Sequence, residues 1–261
     1  MEEQEPVLLR DDQGGIAQLT LNRPRQYNAL SQALLEKLQY ELDAIGDDNS
    51  IRAVVLAGNG PAFCAGHDLK EMRAHPDREY YQGLFQQCSR MMLTISRIPQ
   101  PVIARVHGIA TAAGCQLVAQ CDLAVASTAA RFATSGINVG LFCSTPGVAV
   151  SRNLGRKHAL EMLLTGEFID AQEARARGLV NRVVEPERLD AEVQGLAQTI
   201  AAKSCVAVAA GKQMFYQQLE MGMEAAYLYA AEVMAGNMMA EDAAEGVDAF
   251  LEKRAPAWRG R

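Results

Sequence analysis

The six cysteines of this chain show neither a disulfide framework nor the spacing of a metal site. No Cys-x-x-Cys pair is present, and the cysteines stand mostly among small or apolar neighbours, as buried free thiols do. Cys64 and His67 form one Cys-x-x-His pair, but no second pair with ligand spacing completes a metal site. We therefore predict a reducing compartment, free thiols and no bound metal.

Dense basic clusters and long apolar runs are also missing. The 261 residues carry a formal net charge of −6, with an isoelectric point of about 5.3. Nucleic acid and anionic membrane surfaces are therefore not expected as partners. The longest apolar candidate, residues 102–125, is interrupted by Arg105, His107, Gln116 and Asp122, so no membrane span is predicted.

The start of the chain shows no signal peptide and no Arg-rich presequence. A targeting segment that had been removed would leave the same beginning, so this feature carries no information on location. Apolar residues make up 49% of the chain, which allows a substantial core. The length fits one large domain, or a domain with a smaller appendage.

Two stretches of small residues are the most informative feature that is present. Residues 63–70 (FCAGHDLK) follow the strand-like run 53–58, and residues 110–117 (ATAAGCQL) follow the strand-like run 102–106. Ala and Gly at a helix start let a ligand approach the backbone, where unpaired N–H groups favour negative charge. Two such turns facing each other predict a grip on one oxygen, as an anion formed from a carbonyl requires.

Hydrophobic periodicity predicts a layered α/β core. We expect a strand at 16–21, helices at 31–45 and 80–98, and a cap on the helix after the first stretch from Asp68, with Glu71 three residues later. Strand, turn and helix then recur through residues 102–126. From about residue 201 every segment has helical periodicity, with many apolar residues that need a partner. We therefore divide the chain into a core, 1–200, and a helical region, 201–261.

Further motifs follow one another in a fixed order from about Val7 to Trp258. Besides the two stretches above, they are Leu21-Asn22-Arg23-Pro24 with Asn28-Ala29-Leu30, Ala130-Arg131-Phe132-Ala133, Leu164-Thr165-Gly166-Glu167, Ala171-Gln172-Glu173-Ala174 with Gly178-Leu179-Val180, and Phe250-Leu251-Glu252-Lys253-Arg254. In this order and spacing, the chain resembles the enoyl-CoA hydratase/isomerase (crotonase) superfamily. The specificity lies in the whole set, because no single motif is specific.

The resemblance implies a crotonase-like spiral of repeated ββα units, followed by a C-terminal helical oligomerisation region. It implies a homotrimer, often paired into a hexamer. It also implies an acyl-CoA thioester as ligand, with coenzyme A entering as part of the substrate and no separate cofactor. A role in fatty-acid metabolism and a mitochondrial location, reached with a transit peptide, are implied as well.

Carried over by position, the resemblance makes the backbone N–H groups of His67 and Ala113 the two donors of an oxyanion hole. Lys70 corresponds to a lysine near the CoA nucleotide, although a solvated surface lysine would show the same pattern. The other residues assigned to substrate and CoA binding are Ala65, Asp68, Leu69, Arg25 and Lys253. The His67 side chain is either catalytic or a structural or ligand-lining group, and His107 is predicted to be a packed turn residue.

Gln116 and Gly136 occupy the two positions at which the resemblance implies catalytic glutamates. Neither residue exchanges a proton near neutral pH, residues 143–145 are uncharged, and Asp122 and Glu161 belong to other segments. We therefore predict a pseudoenzyme that binds acyl-CoA with little or no hydratase activity. Two alternatives stay open. One is an active CoA-thioester enzyme that uses only the oxyanion hole, as a decarboxylase, thioesterase or isomerase; the other is a structural oligomer with a vestigial pocket.

Overall fold

The computed structural model describes residues 5–261, which form two β-sheets with helices around them. The strands are β1 (Leu8–Gln13), β2 (Ile16–Leu21), β3 (Ala53–Gly58), β4 (Ala62–Cys64), β5 (Val102–Val106), β6 (Ile109–Thr111), β7 (Leu123–Ser127), β8 (Arg131–Ala133), β9 (Ile169–Asp170) and β10 (Arg182–Val184). The helices are α1 (Gln32–Gly46), α2 (Leu69–Ala74), α3 (Arg78–Arg97), α4 (Ala113–Gln120), α5 (Ser144–Asn153), α6 (Arg156–Thr165), α7 (Ala171–Arg177), α8 (Leu189–Ala201), α9 (Cys205–Gln218), α10 (Met223–Met238) and α11 (Glu241–Glu252). No helix within residues 5–261 has both the length and the hydropathy to cross a membrane.

The two sheets are built together by a repeated unit. The larger sheet has the order β1-β2-β3-β5-β7-β10, and the smaller sheet has the order β4-β6-β8-β9. Each of the pairs β3–β4, β5–β6 and β7–β8 gives one strand to each sheet and is followed by a helix. The strands β3, β5 and β7 are parallel to one another, and so are β4, β6 and β8. This arrangement confirms the predicted α/β spiral of ββα units.

Both faces of the larger sheet are covered by apolar contacts. On one face, residues such as Val54 and Leu56 join the main core, which includes α1, α3 and the smaller sheet. On the other face, the alternate residues Val55 and Ile103 pack against Val193 of α8. This alternation follows from the two-residue period of a strand. A parallel sheet that is covered on both faces explains why its strands are almost wholly apolar.

The short strands of the smaller sheet were not predicted. Phe63 and Cys64 lie in β4, and Ala110 and Thr111 lie in β6, although all four were assigned to the small-residue stretches. Three residues are too few for a periodicity to show in the sequence. The predicted strand at 16–21 and the helices near 31–45 and 80–98 are confirmed as β2, α1 and α3.

Helix α9 is attached to the core by a part-buried ion pair. The Lys212 Nζ donates to Asp122 Oδ2 at 2.7 Å and to the carbonyl oxygens of Ile95 and Gln100. The Tyr216 hydroxyl donates to the other carboxylate oxygen of Asp122, at 2.7 Å. The two charges are therefore paired and hydrogen-bonded, as burial requires. The division at residue 201 stays a prediction, because this contact joins the two regions closely.

The C-terminal helices leave much apolar surface uncovered. Neither α9 nor α10 contains a buried residue. The exposed large apolar side chains of this region are Phe215, Leu219, Met221, Met223, Tyr227, Leu228, Met234, Met238, Met239, Val247, Phe250 and Leu251. An apolar surface of this extent marks an interaction site.

Candidate functional site

Three loops follow the carboxyl ends of β4, β6 and β8 in the smaller sheet. Because β4, β6 and β8 are parallel neighbours, the residues after their carboxyl ends come together. These loops are residues 65–68, residue 112 and residues 134–143, the last of which contains the 3₁₀ helix Ser135–Val139. The end of β6 is joined to the third loop by a hydrogen bond between the hydroxyl oxygens of Thr111 and Ser135, 2.7 Å apart. The topology therefore assembles both small-residue stretches and the Gly136 segment at one place.

The first loop holds the N–H of His67 unpaired. Leu30 forms an isolated parallel bridge with His67: its N–H donates to the Gly66 carbonyl at 2.7 Å, and its own carbonyl accepts from Asp68 N–H at 3.2 Å. In a parallel bridge these flanking groups make the hydrogen bonds, so the amide of the bridged residue faces the other way. Within residues 5–261, the His67 N–H has no acceptor.

The second loop directs the N–H of Ala113 out of the start of α4. Ala113 is the first residue of that helix, so its N–H has no intrahelical acceptor, and the first amide to bond back is that of Gln116, to the Ala112 carbonyl. Ala112 itself has φ 50° and ψ −120°, a conformation that L-residues rarely adopt. Such strain costs on the order of 1–3 kcal/mol and is typical of functional turns.

The two loops are pressed against each other. A methyl group on Gly66, whose φ is +93°, would lie 3.1 Å from the Ala113 nitrogen. A methyl group on Gly114 would lie only 2.0 Å from the Cys64 carbonyl oxygen. Only glycine permits this approach of the α4 start to the first loop. The unpaired amides of residues 67 and 113 therefore belong to two touching segments.

The positions of the two expected glutamates have contrasting surroundings. Gln116 is 4% exposed, and its Oε1 has no hydrogen-bond partner within the described chain. A methyl group on Gly136 would lie 2.6 Å from the Leu141 carbonyl oxygen and 2.8 Å from Cys143 Sγ. Residue 116 thus has room for a polar side chain of its own size. Residue 136 has no room for any side chain unless the 136–143 loop moves.

Known proteins resemble this chain over almost its whole length. The sequence profile of the family described as "Enoyl-CoA hydratase/isomerase" matches residues 11–261. The chain belongs to the enoyl-CoA hydratase/isomerase family. Rat "Enoyl-CoA hydratase domain-containing protein 3, mitochondrial" is 46% identical, over 98% of this chain and 86% of the relative.

Solved structures agree with this membership of the enoyl-CoA hydratase/isomerase family. A structure described as an enoyl-CoA hydratase of Mycobacterium smegmatis is 62% identical and has a TM-score of 0.96, over 97% of this chain and 99% of that one. Human enoyl-CoA hydratase domain-containing protein 3 is 46% identical with a TM-score of 0.94, over 97% of this chain and 100% of that one. The resemblance seen in the motifs is therefore confirmed along the chain.

The His67 imidazole is a neutral group in the first loop, and both of its ring nitrogens are buried. Neither ring nitrogen has a hydrogen-bond partner within residues 5–261, and the ring meets Phe85 edge-on, with centroids 5.4 Å apart. Burial lowers the pKa of His67 to about 4. The ring is therefore uncharged at neutral pH and keeps one donor and one acceptor. Its role as a catalytic, lining or structural group stays a prediction.

Replacing His67 with Phe is expected to reduce the fall in the free energy of unfolding between pH 7 and pH 4. A histidine that folds neutral stabilises the protein fully above its unfolded pKa, near 6.5, and loses this contribution as the pH falls towards about 4. The loss amounts to at most roughly 3 kcal/mol. Urea unfolding between pH 7 and pH 4 measures it. His158→Phe, at an exposed histidine, is the control, and parallel curves for all three proteins would contradict the prediction.

The cations assigned to the CoA nucleotide lie apart from one another in sequence. Lys70 is exposed in the first turn of α2, and Arg25 is exposed in a short 3₁₀ helix, Pro24–Gln26. This 3₁₀ helix adjoins the first loop, because Ala65 N–H donates to the Tyr27 carbonyl at 3.0 Å. Lys253 follows the end of α11, which packs on α9 and α10. Lys70 and Arg25 thus flank one loop, whereas no described contact places Lys253 there.

Leu69 and Asp68 begin α2 at the end of the first loop. Leu69 is 55% exposed, and the Asp68 carboxylate caps the helix by accepting from the N–H groups of Lys70 and Glu71. The predicted cap is confirmed, but Glu71 does not return the bond: its carboxylate accepts from Gln32 N–H instead. Asp68 is also paired with Arg23 at 2.9 Å. Its pKa is lowered, because the Arg23 and backbone hydrogen bonds outweigh the cost of burial.

Two residues that hold the first loop or the segment leading to it were missed as functional positions. Asn28 is fully buried with φ +56°, and its amide donates to the carbonyls of Asn59 and Ala62, both at 2.8 Å. The Arg23 guanidinium donates to the Ala29 carbonyl and to Asp68. Both residues stand in the Asn-Arg-Pro and Asn-Ala-Leu motifs. Both motifs were visible in the sequence, but their partners lie far along the chain, at Asn59 and Ala62 for Asn28 and at Asp68 for Arg23.

The carboxylates considered as replacement acids are engaged elsewhere. Asp122 is bound by Lys212 and Tyr216, and Glu161 pairs with Arg177 at 2.9 Å. His107 donates its Nε2 proton to the Gly60 carbonyl at 2.8 Å, as expected for a turn residue. Within residues 5–261, no group of three His, Cys, Asp or Glu side chains is arranged to hold a metal ion.

Proposed function

We propose that this chain binds acyl-CoA thioesters in fatty-acid metabolism and has little or no enoyl-CoA hydratase activity. The observation that carries the proposal is the pair of unpaired amides, of His67 and Ala113, on two loops in contact. Pre-organised donors of this kind stabilise the oxygen of a polarised thioester and are worth about 10²–10³ in rate each. Gln116 and Gly136 supply no proton carrier, and Asp122 and Glu161 are paired elsewhere.

The coenzyme A part of the ligand is assigned to the surface around α2. Lys70 and Arg25 are exposed cations next to the first loop, and charged groups of this kind bind phosphate. Ala65, Asp68 and Leu69 form the backbone stretch along which the thioester would lie. Lys253 joins this site only if it comes from another copy of the chain or from a different arrangement of the C-terminal region.

A second candidate is an enzyme that acts on a CoA thioester with the oxyanion hole alone. The buried Gln116 Oε1 without a partner favours it, because this oxygen can hold a water or an acyl substituent without taking a proton. Decarboxylation of a malonyl-type thioester needs stabilisation of an enolate and no glutamate pair. Thioester hydrolysis and isomerisation are the other reactions of this class.

The assembly and the location are also proposals. The exposed apolar side chains of α9, α10 and α11 support a homotrimer or a pair of trimers, which analytical ultracentrifugation measures. The relatives named mitochondrial support that location for this chain. The Mycobacterium smegmatis structure has the same fold in a bacterium, so the fold itself is compatible with a mitochondrial or a bacterial protein.

Calorimetry and turnover assays together test the function. We expect saturable heat with butyryl-CoA and crotonyl-CoA, and weaker binding of free coenzyme A, because the oxyanion hole needs the thioester oxygen. We expect no hydration of crotonyl-CoA above the rate with boiled protein. Turnover of malonyl-CoA or ethylmalonyl-CoA would favour the second candidate. The absence of heat with every acyl-CoA would favour a structural oligomer with a vestigial pocket.

A further inference from the structure

The third loop of the candidate site ends at a cysteine. Cys143 is the residue before α5, and its side chain is directed back into the loop, since a methyl group on Gly136 would lie 2.8 Å from the Sγ. The backbone of Gly136 also hydrogen-bonds to this sulfur. Cys143 is 6% exposed. The thiol therefore fills the space that a side chain at residue 136 would enter, which is one of the two positions of the expected glutamates.

Two contacts hold the third loop beside the unpaired amide of Ala113. The hydroxyl of Ser135, one residue before Gly136, is bonded to that of Thr111, two residues before Ala113. Helix α5, which begins directly after Cys143, packs on α4, which begins at Ala113. The first loop touches the same end of α4. The thiol and the two unpaired amides therefore border one site.

Gln116 is a separate indication that this site takes a ligand. It is 4% exposed, and its Oε1 has no partner within the described chain. Its Nε2 makes no hydrogen bond within residues 5–261 either, and this atom is not fully enclosed. Gln116 lies one turn after Ala113, and helical side chains lean towards the N-terminus of their helix, here towards the Ala113 amide. Because buried polar groups are normally hydrogen-bonded, an unpaired amide group in this place is expected to meet a bound molecule.

The oxyanion hole determines what a thiol can do here. Two N–H donors on a thioester oxygen withdraw electrons from a double bond next to the carbonyl, which leaves the β carbon electron-poor. A thiolate is a strong nucleophile towards such a carbon. In the addition, the sulfur forms a bond to the β carbon, and the electron pair of the double bond forms an enolate held by the two amides. The thiol proton then passes through water to the α carbon, so no group leaves and no oxidant is consumed.

We propose that Cys143 captures 2-enoyl-CoA thioesters as covalent adducts by adding its sulfur to their β carbon. The inference rests on the proposed acyl-CoA binding and names α,β-unsaturated thioesters as the ligand class that reacts. Burial raises the pKa of the Cys143 thiol, so the thiolate fraction at neutral pH is small and the capture is slow. The neighbouring thiols of Cys64 and Cys115 are fully buried and do not compete.

Intact-mass spectrometry of the full chain with crotonyl-CoA tests the proposal, with butyryl-CoA as the saturated probe. We expect wild type to gain the mass of one whole crotonyl-CoA and to gain nothing from butyryl-CoA, which in excess should slow the reaction by occupying the site. Cys143→Ala should lower the rate of adduct formation by about 100-fold or more, because a positioned nucleophile is lost. Cys205→Ala is the matched control and should react as wild type does, since Cys205 also stands at a helix start and is more exposed.

The outcomes separate this inference from the proposed function. If butyryl-CoA binds in calorimetry and crotonyl-CoA forms no adduct, the inference is overturned and the proposed function stands; if neither thioester binds, both are overturned. An adduct that persists in Cys143→Ala contradicts the inference. A gain of the crotonyl group without coenzyme A also contradicts it, because the sulfur would then have attacked the carbonyl. If Cys143→Ala does not fold, peptide mapping of the wild-type adduct decides, and modification of Cys205 instead of Cys143 would overturn the assignment.

Discussion

Gly114→Ala is expected to weaken acyl-CoA binding by about 100-fold and to lower the free energy of unfolding by about 3 kcal/mol or more. The added methyl group would lie 2.0 Å from the Cys64 carbonyl oxygen, so α4 must move away from the first loop. The contact is with the backbone, which cannot rotate aside as a flexible side chain does. Displacing α4 separates the Ala113 amide from the His67 amide. A misplacement of about 1 Å in such a site weakens its action by about 10²-fold. Calorimetry with butyryl-CoA and urea unfolding measure both effects.

Gly195→Ala is the matched control for this substitution. Gly195 lies inside α8, and a methyl group there meets nothing within 4 Å. We therefore expect unchanged acyl-CoA binding and a gain of about 0.5–1 kcal/mol in stability, because alanine favours the helix. If Gly114→Ala bound butyryl-CoA as tightly as wild type while remaining folded, the paired amides would not be the binding determinant.

The long elements were predictable because their apolar residues repeat over several turns. Helix α1 carries Leu35, Leu38, Leu42 and Ile45 on one buried face, and Pro99 and Pro101 mark the end of α3. The strand β3 was predicted from an unbroken apolar run, and the structure shows why it is unbroken: α8 covers one face and the main core the other. Composition and hydrophobic periodicity were sufficient to predict these helices and this strand.

The smaller sheet was not predictable from local pattern, because its strands have only two or three residues each. Their register depends on contacts with strands far away in the sequence, such as Cys64 opposite Ala110. The family resemblance supplied the ββα spiral that periodicity alone did not. The pairing of the two loops was expected, but its dependence on Gly66 and Gly114 became visible only in three dimensions.

The candidate site was also predictable only in part. The sequence shows directly that the two positions hold Gln116 and Gly136, and this led to the expectation that proton carriers are missing. The crowding at Gly136 was not readable, because it depends on the Leu141 carbonyl folding back to within 2.6 Å of a methyl group at that position. The φ of Gly136 is not in the left-handed region, so a backbone angle peculiar to glycine is not the obstacle there.

Gln116→Glu alone is therefore expected to gain hydratase activity, and the double variant with Gly136→Glu is expected to fall below it. Glutamate has the size of glutamine, and residue 116 is 4% exposed with an oxygen that has no partner, so the carboxylate replaces the amide without crowding. One positioned acid–base group raises the rate by about 10²–10⁴-fold. Because two such groups act as a unit, we expect the lower end of that range from one.

The double variant fails for a steric reason that is independent of chemistry. A glutamate at residue 136 would press against the Leu141 carbonyl and Cys143 Sγ, which should open the 136–143 loop and lower the melting temperature. Crotonyl-CoA hydration and thermal unfolding measure the two effects separately. Gln120→Glu, one turn further along α4, is the control, and it should gain no activity because its amide is engaged with Ser96. If Gln116→Glu binds crotonyl-CoA normally and still shows no hydration, residue 116 does not reach the reacting carbons, and the missing carboxylate is not what silences this site.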